Sequence, residues 1–258
     1  MTPIDFGLRS RDYALHRHGP PQAFYERLQR FADLDGARVL DLATGPGTVA
    51  FELARRGATV TGIDVAEPQI AAARARAEEL GLDDRTSFRV ARAEATGAPE
   101  HGCDLVTSGQ SWHWFDAPAT VAEVRRVLRP GGMLAIVAYS YLSGHCPVSA
   151  DTEELILQFN PDWPMAGWTG LFPRWVDDVV EGGMTFVEQF CWDYDDLYSH
   201  DDWRGRIRTC NGVGSGGLPA DEVARFDAAL AVMLRERYPD PVPVRHRLWA
   251  VMAQAGGA

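Results

Sequence analysis

The chain has 258 residues, of which 46% are hydrophobic, and a formal net charge of −11 at pH 7. This length suffices for one large α/β domain or one domain with a substantial cap, and no stretch approaches the roughly 18 apolar residues of a membrane span. The acidic balance disfavours nucleic acids and anionic membranes as partners, because both require clustered Lys and Arg.

Residues 36–140 alternate short apolar runs with amphipathic segments rich in Ala, Arg and Glu. This alternation predicts the α/β class, with a doubly wound parallel sheet and crossover helices. The predicted strands are 39–43, 59–64, 86–90, 103–108 and 133–139. The predicted helices are 48–56, 67–80 and 118–128, and Gly81 is placed to end the second of them.

The pattern weakens after residue 140, where prolines, tryptophans and glycines surround one predicted helix, 151–159. A long insertion in a compact domain usually carries function, so we expect a substrate cap here. The chain then returns to predicted helices 172–180, 198–210 and 219–236 and strands 185–192 and 247–253. The expected organisation is a helical lid segment at 1–35, a cofactor-binding domain at 36–140 and 176–258, and the inserted cap at 141–175.

The four cysteines are widely spaced and include no CxxC pair, so we expect neither a metal site nor a disulfide framework. Residues 1–19 are polar and charged and lack the apolar centre of a signal peptide, which makes a cytoplasmic protein the expectation. The sequence does not indicate an oligomeric state.

The strongest chemical signal lies at 39–48, where Val-Leu-Asp-Leu-Ala-Thr-Gly-Pro-Gly-Thr runs from a strand through a glycine turn into a helix. Glycines let the backbone approach a ligand closely. The segment lacks the GxGxxG pattern of a dinucleotide site, because Ala43 stands at the first glycine position and Asp41 would oppose a pyrophosphate. A carboxylate at this place suits a positively charged ligand group, such as the ammonium of S-adenosylmethionine.

Asp64 ends the second strand, where a carboxylate is expected to accept hydrogen bonds from both ribose hydroxyls. Together with Leu-Arg-Pro-Gly-Gly at 128–132, these segments resemble the class I S-adenosylmethionine-dependent methyltransferase superfamily. Within it, the chain is similar to the methyltransferase-11-like small-molecule enzymes that include relatives of trans-aconitate methyltransferase. The resemblance covers 9–140 well and the remainder loosely. It implies a seven-stranded Rossmann-like sheet with an antiparallel last strand, and S-adenosyl-L-methionine as the cofactor.

The resemblance also implies where the cofactor is held, with the methionine part along 41–47, the ribose at Asp64 and the adenine after the third strand. Arg92 departs from the acidic residue that many relatives place near the adenine amino group, so backbone groups or Glu94 are expected there instead. The implied cofactor-binding residues are Arg17, Asp41, Ala43, Thr44, Gly45, Gly47, Asp64, Val65, Ala93, Glu94, Ser108, Gln110 and Ser111.

The segment at 110–116, Gln-Ser-Trp-His-Trp-Phe-Asp, follows the fourth strand, where loops of a parallel sheet build the ligand crevice. His113 is the first candidate general base, with Tyr13 and His145 behind it, although His113 also fits a helix-capping role. A cap that covers a cofactor uses aromatic rings as pocket wall. The candidate substrate-binding residues are Trp112, Trp114, Tyr139, Tyr141 and Trp168.

The expected function is methyl transfer to a small molecule, with oxygen as the expected acceptor atom and nitrogen or carbon as alternatives. An amine or carboxylate acceptor needs no general base, whereas a hydroxyl or carbon acceptor benefits from one. Two other classes stay open: a nicotinamide-dependent oxidoreductase, which the missing glycine pattern and Asp41 disfavour, and a cofactor-binding relative that has lost catalysis. The high Ala and Arg content is typical of GC-rich bacteria, where such enzymes often modify secondary metabolites.

Overall fold

The computed structural model describes residues 16–214 and 217–256. Its helices and strands alternate as the sequence predicts. In chain order, the elements are α1 (Gln22–Leu28), β1 (Arg38–Leu42), α2 (Thr48–Ala54), β2 (Thr59–Asp64), α3 (Glu67–Leu80), β3 (Thr86–Val90), β4 (Cys103–Gly109), a 3₁₀ turn (Trp112–Trp114), α4 (Ala117–Val127), β5 (Leu128–Tyr141), α5 (Pro147–Phe159), α6 (Arg174–Glu181), β6 (Thr185–Tyr198), α7 (His200–Arg208), α8 (Ala220–Arg237) and β7 (Val242–Gln254).

The described strands form a seven-stranded sheet in the order β3-β2-β1-β4-β5-β7-β6. The pairs β1–β2, β1–β4, β2–β3 and β4–β5 are parallel. β7 is antiparallel to β5, because the Gly131 N–H donates to the Ala255 carbonyl while the Leu142 N–H donates to the Arg245 carbonyl. The predicted Rossmann-like sheet with an antiparallel last strand is therefore confirmed.

The described chain divides into two compact units. The larger unit comprises Gly19–Tyr139, Leu171–Cys191 and residues 248–256. The smaller unit comprises residues 16–18, Ser140–Gly170 and the described part of Trp192–Arg247. The strands β5, β6 and β7 each contribute residues to both units. The roles expected for the 1–35 lid and the 141–175 cap stay predictions.

The core of the larger unit is built on its central strands β1, β4 and β5, which are buried on both faces. Leu105, Val106 and Thr107 are buried consecutively along β4, as is typical of a parallel strand covered by helices on both sides. The helix α3 packs against β2 and β3, and α4 packs against α6. Gly81 ends α3 in the left-handed region with φ of 63°, which confirms its predicted capping position.

The smaller unit packs α8 against α5 and α7 around a core rich in aromatic rings. Along α8, Val223, Phe226, Leu230 and Leu234 form one buried stripe at helical spacing. The first half of β7 is buried only at alternate residues. On its other face, Arg245 pairs with Asp195 and Arg247 with Asp193 on β6, and these cross-strand ion pairs tie the two strands. Within this unit the buried residues of β7 are Val242, Val244 and His246.

The predicted boundaries of the last three strands are too short. β5 extends beyond the predicted 133–139, β6 beyond 185–192 and β7 beyond 247–253. The additional residues of β6 and β7 are half polar, so their apolar content alone does not indicate a strand. No helix in the described ranges combines the length and apolarity needed to cross a membrane.

The first strand also ends one residue earlier than the predicted 39–43, because Ala43 leaves it in the left-handed region with φ of 48°. That conformation costs an L-residue with a Cβ about 1–2 kcal/mol. We expect Ala43→Gly to raise the free energy of unfolding by about 0.5–1 kcal/mol, because relief of strain exceeds the added chain entropy. Urea denaturation of the free protein measures the difference.

The matched control is Ala50→Gly, which makes the same change inside α2. There it is expected to lower the free energy of unfolding by about 1 kcal/mol or more, since glycine is a poor helix former. An Ala43→Gly variant that is less stable than the parent protein would contradict the assignment of backbone strain to this turn.

Candidate functional site

Asp41 lies near the end of β1 and is 1% exposed. Its carboxylate accepts hydrogen bonds from the hydroxyls of Thr44 and Thr107, each at 2.6 Å. Thr107 stands directly opposite Asp41 in the β1–β4 pairing. Burial raises the pKa of Asp41 to about 6, against the lowering effect of both hydroxyls and with a further increase from the Asp64 charge. The end of β1 therefore holds a desolvated carboxylate whose pKa lies only about one unit below neutral pH.

The glycine turn after β1 takes positive φ values at alternate residues, Ala43, Gly45 and Gly47. At Gly47, with φ of 89°, an added Cβ would lie 2.6 Å from the Phe51 ring, so a side chain there would be strained and would displace that ring. The Thr44 N–H donates to the Ile63 carbonyl at 2.8 Å and holds the turn against β2. The turn thus places backbone groups without large side chains at the carboxyl ends of β1 and β2.

Asp64, the last residue of β2, faces the same turn. Its two carboxylate oxygens accept the N–H groups of Gly45 at 3.0 Å and Ala66 at 2.9 Å. Burial raises the pKa of Asp64 above its usual value, although these backbone hydrogen bonds favour the charged form. The Val65 backbone N–H also favours the charged form, and a carboxylate with about four lone-pair sites still has room for a ligand donor. Val65, the next residue, is 60% exposed and offers an apolar surface beside the carboxylate.

The loops after β3 and β4 complete this edge of the sheet. Ala93 is buried, and Glu94 accepts the Asp116 N–H at 3.2 Å and lies 3.3 Å from the exposed Arg92 guanidinium. The Ser108 and Ser111 hydroxyls are 2.8 Å apart. The Ser111 hydroxyl also donates to the Leu42 carbonyl at 3.4 Å, and the Gln110 side-chain amide donates to the Tyr139 carbonyl at 2.7 Å.

The three rings after β4 have different surroundings. Trp112 is buried, and its indole N–H donates to Asp178 at 3.0 Å, which favours a packing role. Trp114 is 46% exposed. His113 stacks near Phe172 and Trp175, with ring centroids 5.9 and 6.3 Å away. His113 keeps part of its surface exposed, but desolvation by its surroundings lowers its pKa to about 4. Its imidazole is therefore neutral at pH 7.

Four other predicted site residues belong to the smaller unit. Arg17 donates through Nε to the Thr209 hydroxyl at 2.9 Å. Tyr141 is buried, His145 is exposed and Trp168 is half-buried. Tyr13 lies outside the described residues. The larger unit therefore brings together the predicted residues at the ends of β1 to β4, and the roles predicted for the other residues stay predictions.

Sequence reasoning missed Tyr25, a fully buried residue of α1 in the larger unit. It lies beside Phe24 and one helical turn before Leu28, and this spacing predicts an ordinary core position. Its hydroxyl has no hydrogen-bond partner in the described part of the chain. A tyrosine in a wholly apolar helix face was the available signal.

This arrangement suits a ligand that carries a cation and vicinal hydroxyls. Asp41 and Asp64 flank one glycine turn, and negative charge at both places disfavours a phosphate there. Among residues 16–214 and 217–256, no group of three or more His, Cys, Asp or Glu side chains is placed to hold a metal ion.

Comparison with known proteins points to the same chemistry. Residues 39–132 match the family model of a methyltransferase domain. The chain is 34% identical over 206 residues to the 27-O-demethylrifamycin SV methyltransferase of Amycolatopsis mediterranei. This alignment covers 76% of this chain and 70% of that protein. It is 38% identical over 141 residues to methyltransferase GfsG of Streptomyces halstedii, covering 50% of each chain, so it matches about half of that relative's length.

A solved structure shares the fold. The crystal structure of the cyclase SpnF superimposes with a TM-score of 0.63 at 19% identity, covering 98% of this chain and 95% of that one. At this identity the likeness concerns the fold alone, whereas the rifamycin relative aligns over most of both chains. The chain therefore belongs to the class I S-adenosylmethionine-dependent methyltransferase superfamily.

Proposed function

We propose that this protein binds S-adenosylmethionine at the ends of β1 to β4 and transfers its methyl group to a small molecule. The observation that carries the proposal is the pair of buried carboxylates, Asp41 and Asp64, on either side of the glycine turn. S-adenosylmethionine has an ammonium and a ribose diol, and these are the groups that such carboxylates bind.

The residues present fit this cofactor. Asp64 would accept the ribose hydroxyls through its remaining lone pairs, and the exposed Val65 would pack beside the nucleoside. Asp41 would attract the ammonium, directly or through water. The glycine turn offers backbone without side-chain obstruction. When bound, the cofactor supplies a methyl group activated on a sulfonium.

The protein's own contribution to the transfer is to position the acceptor and exclude water. In-line displacement gains most from such proximity and desolvation. For a hydroxyl acceptor, His113 is the proposed general base, because its neutral imidazole can take the hydroxyl proton. The nearby exposed Trp114 offers a flat apolar surface to an acceptor.

Oxygen is the proposed acceptor atom, with nitrogen and carbon as alternatives. The name of the Amycolatopsis relative specifies a methyltransferase for a 27-O-demethyl compound, which supports oxygen. The fold itself does not select the chemistry, since the structurally similar SpnF is named as a cyclase. The expected cytoplasmic location and the absence of nucleic-acid and membrane partners stay predictions.

Calorimetric titration with S-adenosylhomocysteine, NAD and NADP tests the proposal. We expect micromolar binding of S-adenosylhomocysteine and no binding of either nicotinamide. Asp64→Asn should weaken S-adenosylhomocysteine binding about 10- to 100-fold, because hydrogen bonds to a charged acceptor contribute about 1.5–3 kcal/mol. Asp84→Asn, the same change at an exposed residue between α3 and β3, should leave binding unaltered. Binding of a nicotinamide instead of S-adenosylhomocysteine would overturn the proposal.

The raised pKa of Asp41 predicts that this carboxylate lowers the free energy of unfolding of the free protein while it strengthens cofactor binding. The folded protein holds this proton more tightly than the unfolded chain, so ionised Asp41 lowers the free energy of unfolding above about pH 6. The penalty is about 3 kcal/mol at most and disappears as the pH falls from about 6 towards 4. We expect Asp41→Asn to raise the free energy of unfolding by about 1–3 kcal/mol at about pH 8, and to weaken S-adenosylhomocysteine binding.

Urea denaturation between about pH 4 and 8 measures the first effect, and calorimetry measures the second. The control is Asp104→Asn. Despite some burial, hydrogen bonds from Arg38 and Arg129 hold the pKa of Asp104 below its usual value, so that substitution should lower stability at neutral pH. A loss of stability in Asp41→Asn at about pH 8 would show that the charge is better compensated than we infer.

His113 is tested once product mass spectrometry on a panel of small molecules has identified an acceptor. For a hydroxyl acceptor, His113→Ala should lower kcat about 10²-fold, the low end for a general base because a lowered pKa weakens it, and leave S-adenosylhomocysteine affinity unchanged. The pKa near 4 predicts that the rate shows no dependence on His113 ionisation above about pH 5. His145→Ala is the parallel variant, and a larger loss there would assign the base to His145.

A further inference from the structure

Tyr25 carries an unexplained polar group. The residue is completely buried in the larger unit, and its hydroxyl lacks a hydrogen-bond partner among the described residues. A buried hydroxyl without a partner costs about 1–3 kcal/mol. Phenylalanine would fill almost the same volume without this cost. Such a group in a native fold therefore calls for a specific partner.

The Tyr25 hydroxyl and the start of α2 are both neighbours of Gly19. A Cβ added to Gly19 would lie 4.0 Å from the Tyr25 oxygen and 2.9 Å from the Thr48 methyl group. Thr48 is the first residue of α2 and directly follows Gly47. On the other side, the Arg56 guanidinium covers the Tyr25 ring at 4.3 Å from its centroid. The Arg56 guanidinium thus covers the ring, and the Tyr25 oxygen shares Gly19 as a neighbour with Thr48, the residue that follows the turn.

The electrostatics fix the hydroxyl as a donor. Burial raises the pKa of Tyr25 well above its usual value, and the charges of Glu52 and Asp41 raise it further. The proton therefore stays on the oxygen at every physiological pH. A neutral phenol among these carboxylates is suited to donate one hydrogen bond to an anionic ligand group.

We propose that the Tyr25 hydroxyl donates a hydrogen bond to the carboxylate of the cofactor's amino-acid end. This inference rests on the proposed function, in which Asp41 takes the ammonium of the same group. The two residues then separate the charges of a zwitterion, with the carboxylate at the tyrosine and the ammonium at the aspartate. Tyr25 is a binding residue in this assignment and takes no part in the transfer step.

The test compares two ligands on the complete chain by calorimetry. S-adenosylhomocysteine has the amino-acid end, and 5′-methylthioadenosine has the same nucleoside and thioether without it. Tyr25→Phe should weaken S-adenosylhomocysteine binding about 10-fold and leave 5′-methylthioadenosine binding unchanged. In urea denaturation, the free Tyr25→Phe protein should be at least as stable as the parent, because an unpaired hydroxyl has been removed.

The matched control is Tyr238→Phe, since the Tyr238 hydroxyl donates to Asp151 at 2.7 Å. That variant should lose stability and bind both ligands like the parent, which is the opposite signature. Unchanged binding of S-adenosylhomocysteine by Tyr25→Phe, equal weakening of both ligands, or a less stable free protein would each overturn the inference and leave Tyr25 a packing residue. A parent protein that binds neither ligand would overturn the proposed function itself.

Discussion

The burial of one carboxylate constrains the end of the sheet where the candidate site lies. Asp41 is almost wholly desolvated, and it is tolerated because Thr107 from β4 and Thr44 from the glycine turn both donate to it. The same turn donates the Gly45 N–H to Asp64 at the end of β2. Three strand ends are thereby fixed around one turn. A ligand cation would complete the compensation of charge that the hydroxyls begin.

Several local costs coincide at this turn. Ala43 has a positive φ without being glycine, Asp41 is buried with a raised pKa, and Tyr25 buries a hydroxyl without a partner. Each feature lowers the stability of the free protein, and natural proteins concentrate such features at functional sites. A bound cofactor that satisfies Asp41 and Tyr25 together would offset two of these costs. The larger unit would therefore be stabilised by its ligand at the same residues that destabilise it alone.

The sequence predicts the larger unit well, because its central parallel strands β4 and β5 contain continuous apolar runs that are buried on both faces. The smaller unit is harder to predict, since the second half of β6, Asp-Tyr-Asp-Asp-Leu-Tyr at 193–198, is half polar and its aspartates form ion pairs with β7. The start of α7 had a usable signal, because Ser199 caps the helix by accepting the Asp202 N–H. For Tyr25 the signal was a tyrosine in an otherwise apolar helix face, because its missing hydrogen bond is visible only in three dimensions.

A crystal structure of the complete chain grown with S-adenosylhomocysteine tests the central claim most directly, because it locates the ligand against both carboxylates at once. The predicted result is a ribose whose hydroxyls lie within hydrogen-bonding distance of Asp64, with the ammonium on the side of Asp41. A ligand bound elsewhere, or one in which Asp64 contacts no ribose oxygen, would contradict the assignment of this turn as the cofactor site.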